Sequence, residues 1–210
     1  MKILLLSDIH GNLPALEDCL SNNMDIDLLI SLGDVVNFGP WSNECVELLE
    51  TVDNSIKIKG NHEFNFIKGK PEGKNKIEEN FFYQTIKNFN RTSIISKYLE
   101  EYKILDYKIK HTINNSYIFE DTALDLKENL IIGHSHQMYS RKINNFHLIN
   151  PGSLGLNRRK LGTINYVIWD TKKKMFELKS DYIANDFYLK EIERLKYPNI
   201  CKEYLHKKIN

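Results

Sequence analysis

Four short polar motifs interrupt the apolar runs of this chain: Asp8-Ile9-His10, Gly33-Asp34, Gly60-Asn61-His62-Glu63 and Gly133-His134-Ser135-His136. Of its seven histidines, five (His10, His62, His111, His134 and His136) lie in or near such motifs at the ends of predicted strands. Carboxylate, carboxamide and imidazole without thiolate suit borderline or hard divalent ions such as manganese, iron or zinc. The donors outnumber what one four-coordinate ion needs. Two ions about 3.5–4 Å apart would use them fully, with one carboxylate shared, and Asp34 is the natural bridge. Two dications offset by Asp8, Asp34 and a bridging hydroxide would retain about one positive charge, enough to attract a phosphate locally. Taken singly, each acid has a plainer reading, since an aspartate at a strand end is commonly a helix cap or a turn residue.

The elements that must position these groups follow from periodicity. Residues 2 to 7 form a short apolar run, as a strand buried on both faces would, and Asn12 with Pro14 marks the start of a helix. Leu13, Leu16 and Leu20 share a helical stripe, and residues 25 to 31 return to a strand ending at Gly33-Asp34. Ser42 is placed to cap a second helix whose apolar face holds Cys45, Leu48, Leu49 and Val52, and residues 55 to 59 make a third strand. This alternation predicts a layered α/β fold, in which loops at the carboxyl ends of strands gather distant residues into one site.

Residues 64 to 103 read as an inserted helical cap, with a basic Gly/Pro loop and helices at 75 to 89 and 92 to 102. Beyond it, strands are predicted from Tyr107 to Ile113 and near 115–119, 129–133, 145–150, 163–170 and 174–181. Residues 184 to 208 predict one or two surface helices broken near Pro198. A single domain over residues 1–210 is expected.

Composition narrows the function classes. With 29 basic and 28 acidic residues the net charge is +1, which supplies no bulk field for duplex nucleic acid. Three widely spaced cysteines, Cys19, Cys45 and Cys201, suggest neither a disulfide framework nor a zinc knuckle and fit a reducing compartment. The apolar run at residues 3 to 6 is too short for a signal peptide, and no stretch reaches the ~20 apolar residues of a membrane span, so a cytoplasmic location away from the membrane is expected. Oligomeric state is left open.

In order and separation, the D-x-H, G-D, G-N-H-E and G-H-x-H motifs resemble those of the calcineurin-like metallophosphoesterases. The strings SDIHGNLPALE, LGDVVNFGP, IIGHSH and LINPGSLG are similar to the small prokaryotic phosphodiesterase branch, and the likeness runs from Lys2 to about Tyr182. It implies a four-layer α/β/β/α sandwich with the small helical cap inserted. It also implies one ion held by Asp8, His10, Asp34 and His136, a second held by Asp34, Asn61, His111 and His134, and His62 as the catalytic residue that stabilises charge or protonates the leaving oxygen. The cofactor implied is a pair of divalent ions, manganese first, with iron, zinc, nickel or magnesium as the others, and the nucleophile is hydroxide between them. The activity implied is phosphoester hydrolysis, first of a small phosphodiester or nucleotide. A phosphomonoesterase or protein phosphatase, a dinucleoside polyphosphate hydrolase, and a non-catalytic scaffold on the same fold are the alternatives.

Two positions depart from the family pattern: Glu63 stands where aspartate is commoner, and Thr112 where glycine usually follows the isolated histidine. Glu63 would orient His62 with altered reach, and Thr112 would narrow specificity where backbone nears substrate. His111 also fits a hydrogen-bonded histidine on the inner face of a strand. Asn12 is either a substrate contact or a helix cap, and Arg158 either a phosphate clamp or a solvated loop residue. The lysines from Lys68 to Lys76 read as a solvated loop, Phe81, Phe82 and Tyr83 as packing, and His147 and His206 as ordinary histidines.

Overall fold

The structure is a computed structural model and describes residues 1–73 and 75–209. Lys74, within the basic run, and Asn210 lie outside the described residues. Strands β1 (Lys2–Leu6), β2 (Leu28–Ser31) and β3 (Ser55–Lys57) alternate with helices α1 (Leu13–Ser21) and α2 (Ser42–Glu50). Helices α3 (Asn61–Lys68), α4 (Lys76–Ile86) and α5 (Thr92–Ile95) follow. The second half supplies strands β4 (Glu101–Ile104), β5 (Tyr107–Lys110), β6 (Asn129–Ile131), β7 (Met138–Ile143), β8 (Phe146–Pro151), β9 (Thr163–Asp170) and β10 (Met175–Tyr182). Helices α6 (Asp186–Arg194) and α7 (Asn199–His206) end the described chain on either side of Pro198.

The strands form two five-stranded sheets, ordered β10-β9-β1-β2-β3 and β4-β5-β6-β8-β7. Strand alternation explains why they stack. Ile3 and Leu5 of β1, Ile30 of β2 and Val167 of β9 meet Ile109, Ile131 and Ile149 of the second sheet in one apolar layer. The intervening residues Leu4, Leu6 and Leu29 point the other way and pack on Leu16, Cys19, Val46 and Leu49 of α1 and α2. Each fully buried Leu or Ile contributes about 1.5–3 kcal/mol of transfer free energy, so both faces of the first sheet hold its register strongly. The outer face of the second sheet is covered by Ile118 and Leu126, from the irregular segment between β5 and β6.

The cap segment is knit into the body: Phe66, Phe82, Ile95 and Tyr98 share the cluster of Leu4 and Leu16. The helix expected at 92–102 stops at Ile95, and Glu101–Ile104 instead pairs antiparallel with β5. The reason is alternation, for Tyr102 and Ile104 turn toward the inter-sheet layer while Glu101 and Lys103 face solvent. No strand forms at 115–119, where an isolated bridge between Ile113 and Ser116 leaves Ile118 to cover the sheet. Strand β7 was not foreseen because its Ser-Arg-Lys core is that of a polar edge strand, secured by its hairpin with β8. Ser42 lies within α2 rather than capping it, and its hydroxyl accepts from the Asn37 amide at 3.0 Å.

Candidate metal centre

Strands β1, β2 and β3 run parallel, as do β5, β6 and β8, so their carboxyl ends lie at one edge of each sheet. Asp8 and His10 follow β1, Asp34 follows β2, Asn61 opens α3 after β3, His111 follows β5, and His134 and His136 follow β6. The first two loops are laced together, with Asp8 N donating to Gly33 O at 3.0 Å and His10 N to Asp34 O at 2.9 Å. Asp8, His10, Asp34, His134 and His136 all hold positive φ, between 50° and 66°. Left-handed backbone at non-glycine residues costs of order 1–3 kcal/mol each and survives only where surrounding contacts impose it, a pattern concentrated at functional sites.

Those contacts are identifiable. Glu63 is fully buried, and its carboxylate accepts from the amides of Asp34 (2.7 Å), Val35 (2.8 Å), Val36 (3.2 Å) and Gly60 (2.7 Å). It therefore holds the Asp34 loop and the start of α3, and does not touch His62 as the sequence reading expected. The turn after β8 holds the opposite side, where Ser153 Oγ donates to Asp8 O at 2.7 Å and Asn150 Nδ2 to Gly133 O at 2.7 Å. Gly155 packs so closely that an added Cβ would lie 1.7 Å from Ile9 O.

The imidazoles are oriented by their outer nitrogens. His136 Nδ1 donates to Leu156 O at 2.6 Å, His111 Nδ1 to Leu32 O at 2.9 Å, and His10 Nδ1 faces Val36 O at 3.4 Å. That arrangement turns the Nε2 atoms inward, as metal-binding histidines require. His10 Nε2 and His136 Nε2 then lie 3.1 Å apart, with Asp8 Oδ1 at 3.2 Å from the latter and itself lacking any hydrogen-bond partner. His134 Nε2 is a second buried atom without a partner. Asp34 Oδ2 stands 3.1 Å from His111 Nε2, which is also 3.1 Å from Asn61 Oδ1. Carboxylate and imidazole atoms converging in a buried space, two of them without a partner, are the chemistry of a cation site. Three overlapping groups meet that geometry: Asp8, His10 and His136; His10, Asp34 and His62; and Asp34, His111 and His134. Asp34 belongs to two of them.

The ionisation of these groups is strongly perturbed. Burial pushes the Asp8 and Asp34 carboxyls upward, but the histidines outweigh it, chiefly His136 and His111 respectively, and hold both acids below the usual carboxylate range. Burial depresses His111, yet the facing Asp34 carboxylate raises it to about 10. Burial lowers His134 to about 4, helped by His111, and lowers His10, helped by His136 and His62. Of these three rings, His111 is thus held as an imidazolium at neutral pH, while His10 and His134 are held neutral.

His62 is buried beside this centre, with Nε2 3.8 Å from Asp34 Oδ2. Its Nδ1 lies 2.9 Å from Asn37 Nδ2, and Thr85 Oγ1 donates to Asn37 Oδ1 at 3.0 Å. With the carboxamide so oriented, its Nδ2 donates to His62 Nδ1 and leaves Nε2 facing the acids. Sequence reasoning missed Asn37; its place in the Asp34 loop, three residues beyond the acid, was the available signal.

A cleft of about 400 Å³ opens over Asp34, His62, His134 and His136, walled by Phe38, Leu156 and Tyr204 and by Ile77 and Glu78 of α4. Arg158 lines it, whereas Asn12 does not. Asn12 is 1% exposed and spent on structure, its Oδ1 capping α1 at Ala15 N and its Nδ2 donating to Gly155 O. Thr112 turns away to donate to Ser116 O at 2.7 Å. Tyr117, unremarked in the sequence, lies flat on His134 with ring centroids 4.2 Å apart. Phe81 and Phe82 are core and Tyr83 is half-exposed, while His147 bonds Tyr107 and Ser140 away from the centre.

A mixed α/β fold with this histidine–carboxylate centre at the strand ends defines a metallophosphoesterase. The chain belongs to the calcineurin-like phosphoesterase superfamily, whose domain matches residues 1–174. It is 28% identical to an uncharacterized protein of Methanocaldococcus jannaschii, across 99% of this chain and 96% of that one. It is 27% identical to a symmetrical bis(5'-nucleosyl)-tetraphosphatase of Buchnera aphidicola, over 64% of this chain and 44% of that one. In structure it matches a metallophosphoesterase of Sphaerobacter thermophilus with a TM-score of 0.82 and 22% identity, covering 100% of both chains. It is accordingly a hydrolase of phosphoric esters. Among the described residues no helix is long and apolar enough to cross a membrane.

Proposed function

We propose that this single-domain protein is a dinuclear metal-dependent phosphodiesterase acting on a small phosphodiester or nucleotide in the cytoplasm. The observation that carries the metal requirement is the approach of His10 Nε2 to His136 Nε2 at 3.1 Å beside the unpartnered Asp8 Oδ1, since one divalent ion among them would take a lone pair from all three. Asp8, His10, Asp34 and His136 would hold one ion, and Asp34, Asn61, His111 and His134 the other. When bound, such a pair, manganese first among the candidates, polarises phosphoryl oxygens and makes hydroxide available at neutral pH.

The chain's own residues supply the rest. His62, with its proton on Nε2, donates to the leaving oxygen, and Asn37 keeps that proton on the correct nitrogen. Arg158, in the cleft wall, offers a guanidinium suited to binding a phosphoryl group. Phe38, Leu156 and Tyr204 exclude water from the cleft and accept an apolar or aromatic ester substituent. A complete donor set argues against a purely scaffolding role. Hydrolysis of dinucleoside polyphosphates is the second reading, favoured by the similarity to the Buchnera tetraphosphatase.

Turnover of bis(p-nitrophenyl) phosphate, p-nitrophenyl phosphate, a 2′,3′-cyclic nucleotide and a dinucleoside tetraphosphate with added manganese tests this. Diester hydrolysis abolished by His62→Ala is expected; activity on the monoester alone overturns the phosphodiesterase assignment.

A further inference from the structure

Two cations face the cleft without an acidic partner. Arg158 is fixed by a hydrogen bond from Nε to Ser135 O (2.8 Å) and by lying over the rings of Tyr117 (5.0 Å) and Phe119 (4.9 Å). Its two terminal nitrogens have no hydrogen-bond partner among the described residues. Lys208, fifty residues further along and just past α7, reaches the same wall. Its Nζ donates to Asn157 O at 2.9 Å and Arg158 O at 2.7 Å, and lies 5.0 Å from the Tyr204 ring centroid. An ammonium carries three donors, so one N–H remains.

Lys208 is only 8% exposed, and among the described residues neither cation has a carboxylate within 4.0 Å. Of the two acids that line the cleft, Asp34 belongs to the donor groups of the centre and Glu78 stands 3.9 Å from His62 Nδ1. Burial, followed by the charge of Arg158, lowers Lys208 to about 8. Two like charges held in a partly desolvated wall repel each other until an anion arrives between them. The metal centre already accounts for one phosphate, so these cations are surplus to a substrate that carries a single phosphoryl group.

We propose that Arg158 and Lys208 form a second anion subsite, which selects substrates carrying a further phosphoryl group linked to the scissile one. Resting on the phosphodiesterase reading, this deepens it to a substrate class: small diesters whose scissile phosphorus carries a phosphoanhydride link, such as esters of nucleoside or sugar diphosphates. The backbone contacts of Lys208 also hold the 157–158 loop, so its contribution as an anion ligand has to be separated from its contribution as a clamp.

The test compares the p-nitrophenyl ester of a nucleoside 5′-monophosphate with that of the matching 5′-diphosphate, which differ by one phosphoryl group, and follows consumption of each ester by chromatography, because water added at the terminal phosphorus releases p-nitrophenol whereas water added at the anhydride releases p-nitrophenyl phosphate. The wild-type protein should favour the diphosphate ester in kcat/KM by at least tenfold, Lys208→Met should erase most of that ratio, and Lys208→Arg should keep it. An unchanged ratio in Lys208→Met, with both rates reduced alike, assigns the lysine to clamping alone and overturns the subsite. Calorimetry on the metal-free protein with pyrophosphate and with orthophosphate supplies a readout independent of turnover. Tenfold tighter pyrophosphate binding that depends on Lys208 supports the subsite even where neither ester is hydrolysed, an outcome that removes the phosphodiesterase reading instead. Should Lys208→Met fail to fold, a wild-type preference for pyrophosphate below tenfold overturns the subsite by itself.

Discussion

Glu63 Oε2 accepts a hydrogen bond from the Asp34 amide at 2.7 Å, so a carboxylate that touches no reacting atom sets the position of the acid shared by two donor groups. Burial, and next the charge of Asp34, raises its pKa, yet four backbone amides surround the ionised form. Glu63→Gln places an amide donor against these N–H groups and leaves some unsatisfied. The variant should lose about 3 kcal/mol in denaturant unfolding and bind manganese about 10–100-fold more weakly by calorimetry. Wild-type affinity in a folded variant would show that Glu63 does not position Asp34.

Asp34 joins donor groups that otherwise share no carboxylate. Asp34→Asn should therefore remove both ions in elemental analysis, whereas His136→Ala, confined to the group of Asp8 and His10, should lower the content toward one. Equal stoichiometry in the two variants contradicts a shared ligand.

The metal-free centre predicts a pH signature. His111 sits at about 10 when folded, above its ordinary 6.5, because Asp34 outweighs the burial that depresses it. A raised folded pKa stabilises fully below the unfolded value and is lost as pH climbs through the folded one. Thermal unfolding of metal-free protein should accordingly fall by at least about 4 °C between pH 6.5 and 10. Because a ligating imidazole must be neutral, manganese binding at pH 7.5 should release close to one proton, measured by calorimetry in buffers of different ionisation enthalpy. Absence of both effects would place His111 outside the centre.

Asn37→Ala frees the His62 ring to rotate and to change tautomer while leaving every proposed ligand in place. We expect kcat to drop by about 10–100-fold with KM changed less than about threefold, and Thr85→Val to move kcat the same way by less. A change in KM alone would assign Asn37 to substrate binding.

Much of the centre was legible because catalysis at strand ends leaves a local record. Asp8, His10, Asp34, Asn61, His134 and His136 each sit within five residues beyond the end of β1, β2, β3 or β6, where the type of a polar residue reports its chemistry. His111 was readable for the same reason, since β5 ends one residue before it. The stacked order of the sheets was implied by family resemblance, while the burial of β1 on both faces was visible in its continuous apolar run.

Other features required the folded chain, because they depend on distance between residues far apart in sequence. Glu63 looked like a partner for its neighbour His62, but α3 turns its carboxylate toward the Asp34 loop, twenty-nine residues back. Asn12 could cap a helix or meet substrate, and the closeness of Gly155 decided for the cap. The strand at Glu101–Ile104 and the pairing of Arg158 with Lys208 lay beyond any local pattern, for each is created by a neighbour that periodicity cannot see. Residue type and spacing marked the candidate donor atoms; packing decided which groups hold them in place.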